Sequence, residues 1–84
     1  MEDFAPWDGQ GDLLFFKIGI GNEVARVTRR CLLDHKLVDF KTTTPEQFSV
    51  GPIANELRRL GRSLLNRGME LLIDSEVWEQ CDRV

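Results

Sequence analysis

Leu57, Leu64, Leu71 and Trp78 recur at seven-residue intervals through the C-terminal third of this chain. Such a row marks a helix seam that packs on another helix, so the first architecture to test is one long helix with a partner chain. The test fails at the second set of seam positions. These are Ile53, Leu60, Arg67, Asp74 and Cys81, and two charged residues interrupt them in the middle. Beyond Gly68, moreover, Met69, Ile73 and Val77 fall on the side that Arg58, Arg62 and Asn66 occupy before it. One straight helix would then be apolar on both faces. Arg67-Gly68 instead has the composition of a helix end, a cation at the negative pole of the helix dipole followed by a glycine free to turn left-handed. The row therefore predicts two elements that break at Gly68 and fold against each other.

The helix before that break is the best defined in the chain. Pro52 opens it, and Ile53, Leu57, Leu60 and Leu64 lie within about 80 degrees of one another around its axis. Gly61 adjoins this stripe at a propensity cost of about 1 kcal/mol relative to Ala, which close approach of a neighbouring helix would offset. Upstream, Thr44-Pro45-Glu46-Gln47 reads as a helix start, with Thr44 as N-cap, Pro45 at the first position and Gln47 closing a capping box. Gly51-Pro52 ends that helix within two turns.

The first half is less regular. Met1 to Gly11 mixes Pro6, Gly9 and Gly11 with acids and aromatics and has no sustained period, so it reads as an arm. Phe4 and Trp7 would be costly to leave solvated, and they are expected to lie on the domain or on a partner. Leu13 to Ile20 fits a buried strand or a short helix, and Gly19 and Gly21 place a break after it. From Glu23 to Val38 a helical wheel gathers Val24, Val27, Cys31, His35 and Val38 on one side, with Asn22 as a cap, which predicts an amphipathic helix. Leu33 and Leu37 fall off that stripe and mark a second packing surface or an interface.

The chain has 84 residues, 42% of them apolar and 30% charged, the balance of one globular domain rather than a disordered segment. A domain this small buries only about two-thirds of the surface its unfolded chain exposes, so added surface from a partner would matter to its stability. Apolar runs fall far short of the ~20 residues of a membrane span, and the acidic start lacks the features of a secretory signal. A soluble, cytoplasmic protein is expected. The net charge of -3 is unevenly spread: residues 1–12 carry four acids and no base, residues 13–68 ten bases against five acids, and residues 69–84 five acids against Arg83. The acidic ends can close over the basic middle, or leave it open to an acidic partner.

Few groups suggest chemistry. Cys31 and Cys81, with the single His35, cannot complete a structural zinc site, and free thiols are expected. Cys31 and His35 are four apart on one helical face, where their side chains could meet as a thiolate–imidazole nucleophile, but both fall on the face expected to be buried and no orienting third residue is identifiable. Gly19-Ile20-Gly21-Asn22 lacks the further glycine and acid of a dinucleotide turn. The carboxylates Glu70, Asp74, Glu76, Glu79 and Asp82 fit no calcium loop. No catalytic residue, cofactor or metal site is expected.

Asn55, Arg58, Arg59 and Arg62 form the polar face of the helix over 52–67. A short helix, a Gly-Pro turn and an arginine-bearing helix follow the order of a helix-turn-helix, whose second helix reads base edges. Strand 38–41 and a hairpin wing from Met69–Ile73 and Val77–Cys81 would extend this to a winged helix. The acidic wing and the anionic chain oppose contact with phosphate.

The expected architecture is mainly α: a small single-domain bundle of three to four helices, near 22–38, 45–50 and 52–67 with a further helical segment to about 82. The acidic arm covers 1–12 and the domain 13–84. The alternative is an α+β winged helix. The leading function is a non-enzymatic protein-interaction or regulatory adaptor that binds a protein partner or itself, with Phe4, Trp7, Leu33 and Leu37 as interface residues. The competing function is a DNA-binding regulator that uses Asn55, Arg58, Arg59 and Arg62.

Overall fold

A computed structural model describes residues 3–7, 11–19 and 21–81. Parts of the arm and the end of the last expected helix therefore lie outside the described residues. The order of elements is β1 (Leu13–Lys17), β2 (Val24–Thr28), α1 (Arg29–Asp34), α2 (Pro45–Ser49), α3 (Pro52–Asn66), β3 (Leu72–Ile73) and α4 (Ser75–Cys81). The fold is α+β, which corrects the mainly helical expectation.

β1 and β2 form an antiparallel hairpin in which Leu14 pairs with Val27 and Phe16 with Ala25, and β3 joins β2 in parallel with Val27 opposite Ile73. Alternation puts Leu14, Phe16, Ala25, Val27 and Ile73 on one face, all fully buried, against the apolar side of α3. The opposite face is left partly open, with Phe15, Arg26 and Leu72 in one cross-strand row. Order and pairing also differ from the winged-helix alternative. The hairpin lies at the N-terminal end, and the expected wing resolves into β3 and α4.

The expected helix over 22–38 is the main local correction. Val24 to Thr28 is a strand and only Arg29–Asp34 is helical. Val24, Val27 and Cys31 satisfy a helical wheel, yet Ala25 and Val27 satisfy a period of two equally well, and β-branched residues favour the strand. Thr28 marks the switch, its Oγ1 accepting a hydrogen bond from the Cys31 N–H at 3.1 Å as the N-cap of α1. α1 ends in a Schellman motif: the Leu37 N–H bonds the Leu32 carbonyl and the Lys36 N–H the Leu33 carbonyl, with Lys36 at φ 55.

The C-terminal half follows the sequence more closely. The Thr44–Gln47 capping box is formed and Pro45 opens α2. α3 buries Ala54, Leu57, Leu60, Gly61 and Leu64 and ends at Gly68, whose φ of 68 closes a second Schellman motif through the Met69 and Gly68 N–H groups. The seven-residue row is thus divided between α3, the link to β3 and α4. Gly61 approaches a strand end rather than a helix. A Cβ there would stand 2.6 Å from Ile18 Cγ2.

Candidate functional site

Two groups of side chains compete as functional surfaces, and the arm packs over the first and borders the second. It is part of the domain: Phe4 is fully buried, stacked on Phe16 at 4.9 Å and edge-on to Phe48 at 4.8 Å. Ala5 bridges to Phe15, so the outer edge of β1 is paired by the arm instead of being left open. Trp7 packs on Phe40 and Phe48 and donates its indole N–H to the Thr43 carbonyl at 3.1 Å. Of the two destinations open to the arm aromatics, the domain is the one observed. Phe4 has no surface left for a partner.

Arginines hold the arm in place. Arg29 donates to the backbone carbonyls of Pro6, Trp7 and Gly11 and lies over the Phe40 ring. Sequence reasoning missed this residue, because its partners are carbonyls distant in the chain and leave no local pattern. Arg58 donates to Asp3 Oδ2, Ser49 Oγ and Asn55 Oδ1, with its guanidinium 5.6 Å from the Phe4 centroid. Asp3 also accepts from the Lys17 N–H. The acidic start therefore does close on the basic middle, and a second closure joins Glu70 to Arg26 at 3.3 Å.

On α3, the four expected nucleic-acid residues do not form one outward-facing comb. Asn55 and Arg58 bond each other, and Arg62 donates to the Ile18 carbonyl at 3.0 Å. Arg59 pairs with Glu56 at 2.7 Å, and this hydrogen bond holds the Glu56 carboxyl below the usual carboxylate range. Arg58 and Arg62, engaged in this way, would have to break bonds within the domain to reach phosphates or base edges, whereas the Arg59–Glu56 pair is exposed.

The contrasting surface surrounds α1. Leu33 is 51% exposed on a helix whose other apolar residues, Cys31 and Leu32, are fully buried. It lines two open grooves that meet at its side chain. The first, about 750 Å³, runs toward the start of α4 and is bordered by Asp12, Asp34, Asp74 and Glu76. The second, about 590 Å³, has Leu37, Val38 and Phe40 on its floor and Lys36 and Lys41 at its rim. Leu33 and Leu37, chosen from the sequence because they fall off the apolar stripe, thus share one surface. The contributions of Phe40, Asp74 and Glu76 depend on tertiary packing and have no sequence signal.

The thiol–imidazole pair has a different setting from the one a nucleophile needs. Cys31 is a free, fully buried thiol, and its pKa is pushed up to about 11, first by burial and then by the charges of Asp74 and Asp34. It is protonated at neutral pH. His35 Nε2 lies 3.8 Å from Glu79, across the α1–α4 contact. Among the described residues no group of three or more His, Cys, Asp or Glu side chains is placed to hold a metal ion, and no helix is long and apolar enough to cross a membrane. Comparisons with protein-family models, curated proteins and solved structures found no match.

Proposed function

We propose that this domain is a non-enzymatic protein-interaction module that docks partners through the surface around α1. The observation that carries this reading is Leu33, half exposed where two open grooves meet, while the other large apolar groups of α1 are buried. An apolar centre inside a charged rim is the anatomy of a protein–protein contact rather than of a phosphate-binding surface. The pairing of Arg58, Arg59 and Arg62 within the domain supports the same choice.

Leu33→Gln tests it. Burial of one leucine at an interface is worth about 1.5–3 kcal/mol, so partners captured from the native lysate and identified by mass spectrometry should weaken at least ~10-fold. Val50→Gln, at an 82% exposed position, and Phe15→Gln, on the open sheet face, serve as controls that retain capture. Identical captured sets from the wild type and Leu33→Gln end this reading. Loss with Phe15→Gln alone moves the site to the sheet.

A further inference from the structure

We infer that the partner seated on the α1 surface is a second copy of this chain, joined across a two-fold axis through Leu33. The inference rests on the proposed docking role of that surface and identifies its occupant from charge. On one side of Leu33 the groove carries Asp12, Asp34, Asp74 and Glu76 against Arg29 and Arg30. Four carboxylates stand against two guanidinium groups, of which Arg30 pairs with Asp34 at 3.9 Å, so this lobe keeps a net negative charge. On the other side Lys36 and Lys41 stand against Asp39, and the lobe is basic. A two-fold rotation about Leu33 sets the acidic lobe of each copy on the basic lobe of the other. Both charge contacts form at once, and Leu33 meets its symmetry mate between them, as an isologous interface requires.

Size and long-range charge are compatible with this arrangement. A standard interface takes about 800 Å² per partner, roughly a seventh of the 5489 Å² surface of this chain. The net charge of -3 on each copy opposes approach. At physiological ionic strength, however, charges farther apart than about 8 Å are largely screened, so the charges facing each other across the contact dominate. A strongly basic or strongly acidic partner would match one lobe and be repelled by the other. A second copy matches both.

Sedimentation of the full chain over a wide concentration series provides the test, with circular dichroism confirming that each variant is folded. The wild type should pass from monomer to dimer, and Leu33→Gln should weaken that equilibrium at least ~10-fold. One variant carries Lys36→Glu and Lys41→Glu, and another Asp12→Lys and Glu76→Lys. Each alone should lose self-association by a similar factor, because like charges then face each other in both contacts. Mixed together they should form a heterodimer, since every lobe again meets its opposite. Recovery on mixing shows that the two lobes face each other across the contact, and a wild type that stops at the dimer, where a head-to-tail contact would propagate, shows that the arrangement is two-fold. A wild type that stays monomeric throughout overturns the inference, as does a dimer indifferent to Leu33→Gln or a mixture that does not recover. A monomeric wild type that still captures other proteins through Leu33 overturns the second copy alone and leaves the docking role standing.

Discussion

The arm-covered side of the domain and the α1 side both combine apolar and cationic side chains, and they use them in opposite ways. Under the arm, Phe4 and Trp7 are packed against Phe16, Phe40 and Phe48, and the guanidinium groups of Arg29 and Arg58 donate to groups of the arm. Around α1, Leu33 is exposed and the lysines of the adjoining loop line an open groove. The arginines and aromatics that stand out in the sequence as binding groups thus hold the fold together. Leu33, by contrast, is left half exposed where two grooves meet. In a domain this small the conspicuous side chains are drawn into stability, and a single exposed apolar group gains meaning only from the grooves and charges around it.

Phe4→Ala breaks the comparison most severely. Truncating a buried phenylalanine costs about 3–5 kcal/mol, and Phe4 is fully buried between two rings. Urea denaturation should show a loss in that range. A loss under about 1 kcal/mol would mean that the arm is a dispensable cover, and that the arginine side is as available as the α1 side.

Arg58→Met comes next. It keeps the apolar stem over Phe4 and removes the hydrogen bonds to Asp3, Ser49 and Asn55. Hydrogen bonds of charged groups contribute about 1.5–3 kcal/mol when well formed. With Arg58 and Asp3 partly solvated, the expected loss in chemical denaturation is near the lower limit. Fluorescence anisotropy with mixed-sequence duplex DNA at low salt should show the same negligible binding for wild type and variant. Salt-sensitive wild-type binding that this substitution abolishes would reverse the assignment of the two sides.

How much of this was legible in the sequence depended on whether the signals were local. α3 was, because four apolar residues lie within one element and a glycine follows its cap, and so was α2, because Thr44 and Gln47 cap each other across a single turn. The hairpin was not. Val27 and Cys31 lie on the buried side under either period, and only pairing with Leu14 and Phe16 decides for the strand. The same limit applies to the candidate site. Leu33 and Leu37 were recognisable as off-stripe leucines, whereas the grooves beside them require the start of α4 and the loop through Phe40 to be brought to α1 by the sheet.

Gly61→Ala probes the covered side from beneath. In an open helix the change would stabilise by about 1 kcal/mol, but the new methyl would lie 2.6 Å from Ile18 Cγ2 and 3.4 Å from the Ala25 Cβ, both in fully buried residues. Overpacking costs about 1–3 kcal/mol, so a net loss of about 1 kcal/mol is expected by thermal or urea denaturation. Ile18→Leu moves the branch away from this contact and should recover part of the loss in the double variant. A stabilised single variant would show that α3 is not seated on the hairpin as closely as described.

The smallest effect is expected at Lys36, and it separates folding from docking on the open side. α1 and α3 end in the same hydrogen-bond motif, yet the left-handed position is Gly68 in one and Lys36 in the other, at φ 68 and φ 55. A side chain in that region costs about 1–2 kcal/mol, which glycine avoids at some cost in unfolded-state entropy. Lys36→Gly should therefore raise stability by about 0.5–1 kcal/mol in urea denaturation. The same change removes a cation from the rim of the basic groove, where an exposed pair is worth about 0.2–1 kcal/mol and is lost twice in a two-fold dimer, so self-association should weaken at least about 2-fold. Stability and association would then move in opposite directions under one substitution. If lysine occupies a strained position because docking needs its charge, both shifts must appear; a gain in stability with association unchanged would leave Lys36 as a helix end that merely lacks its glycine.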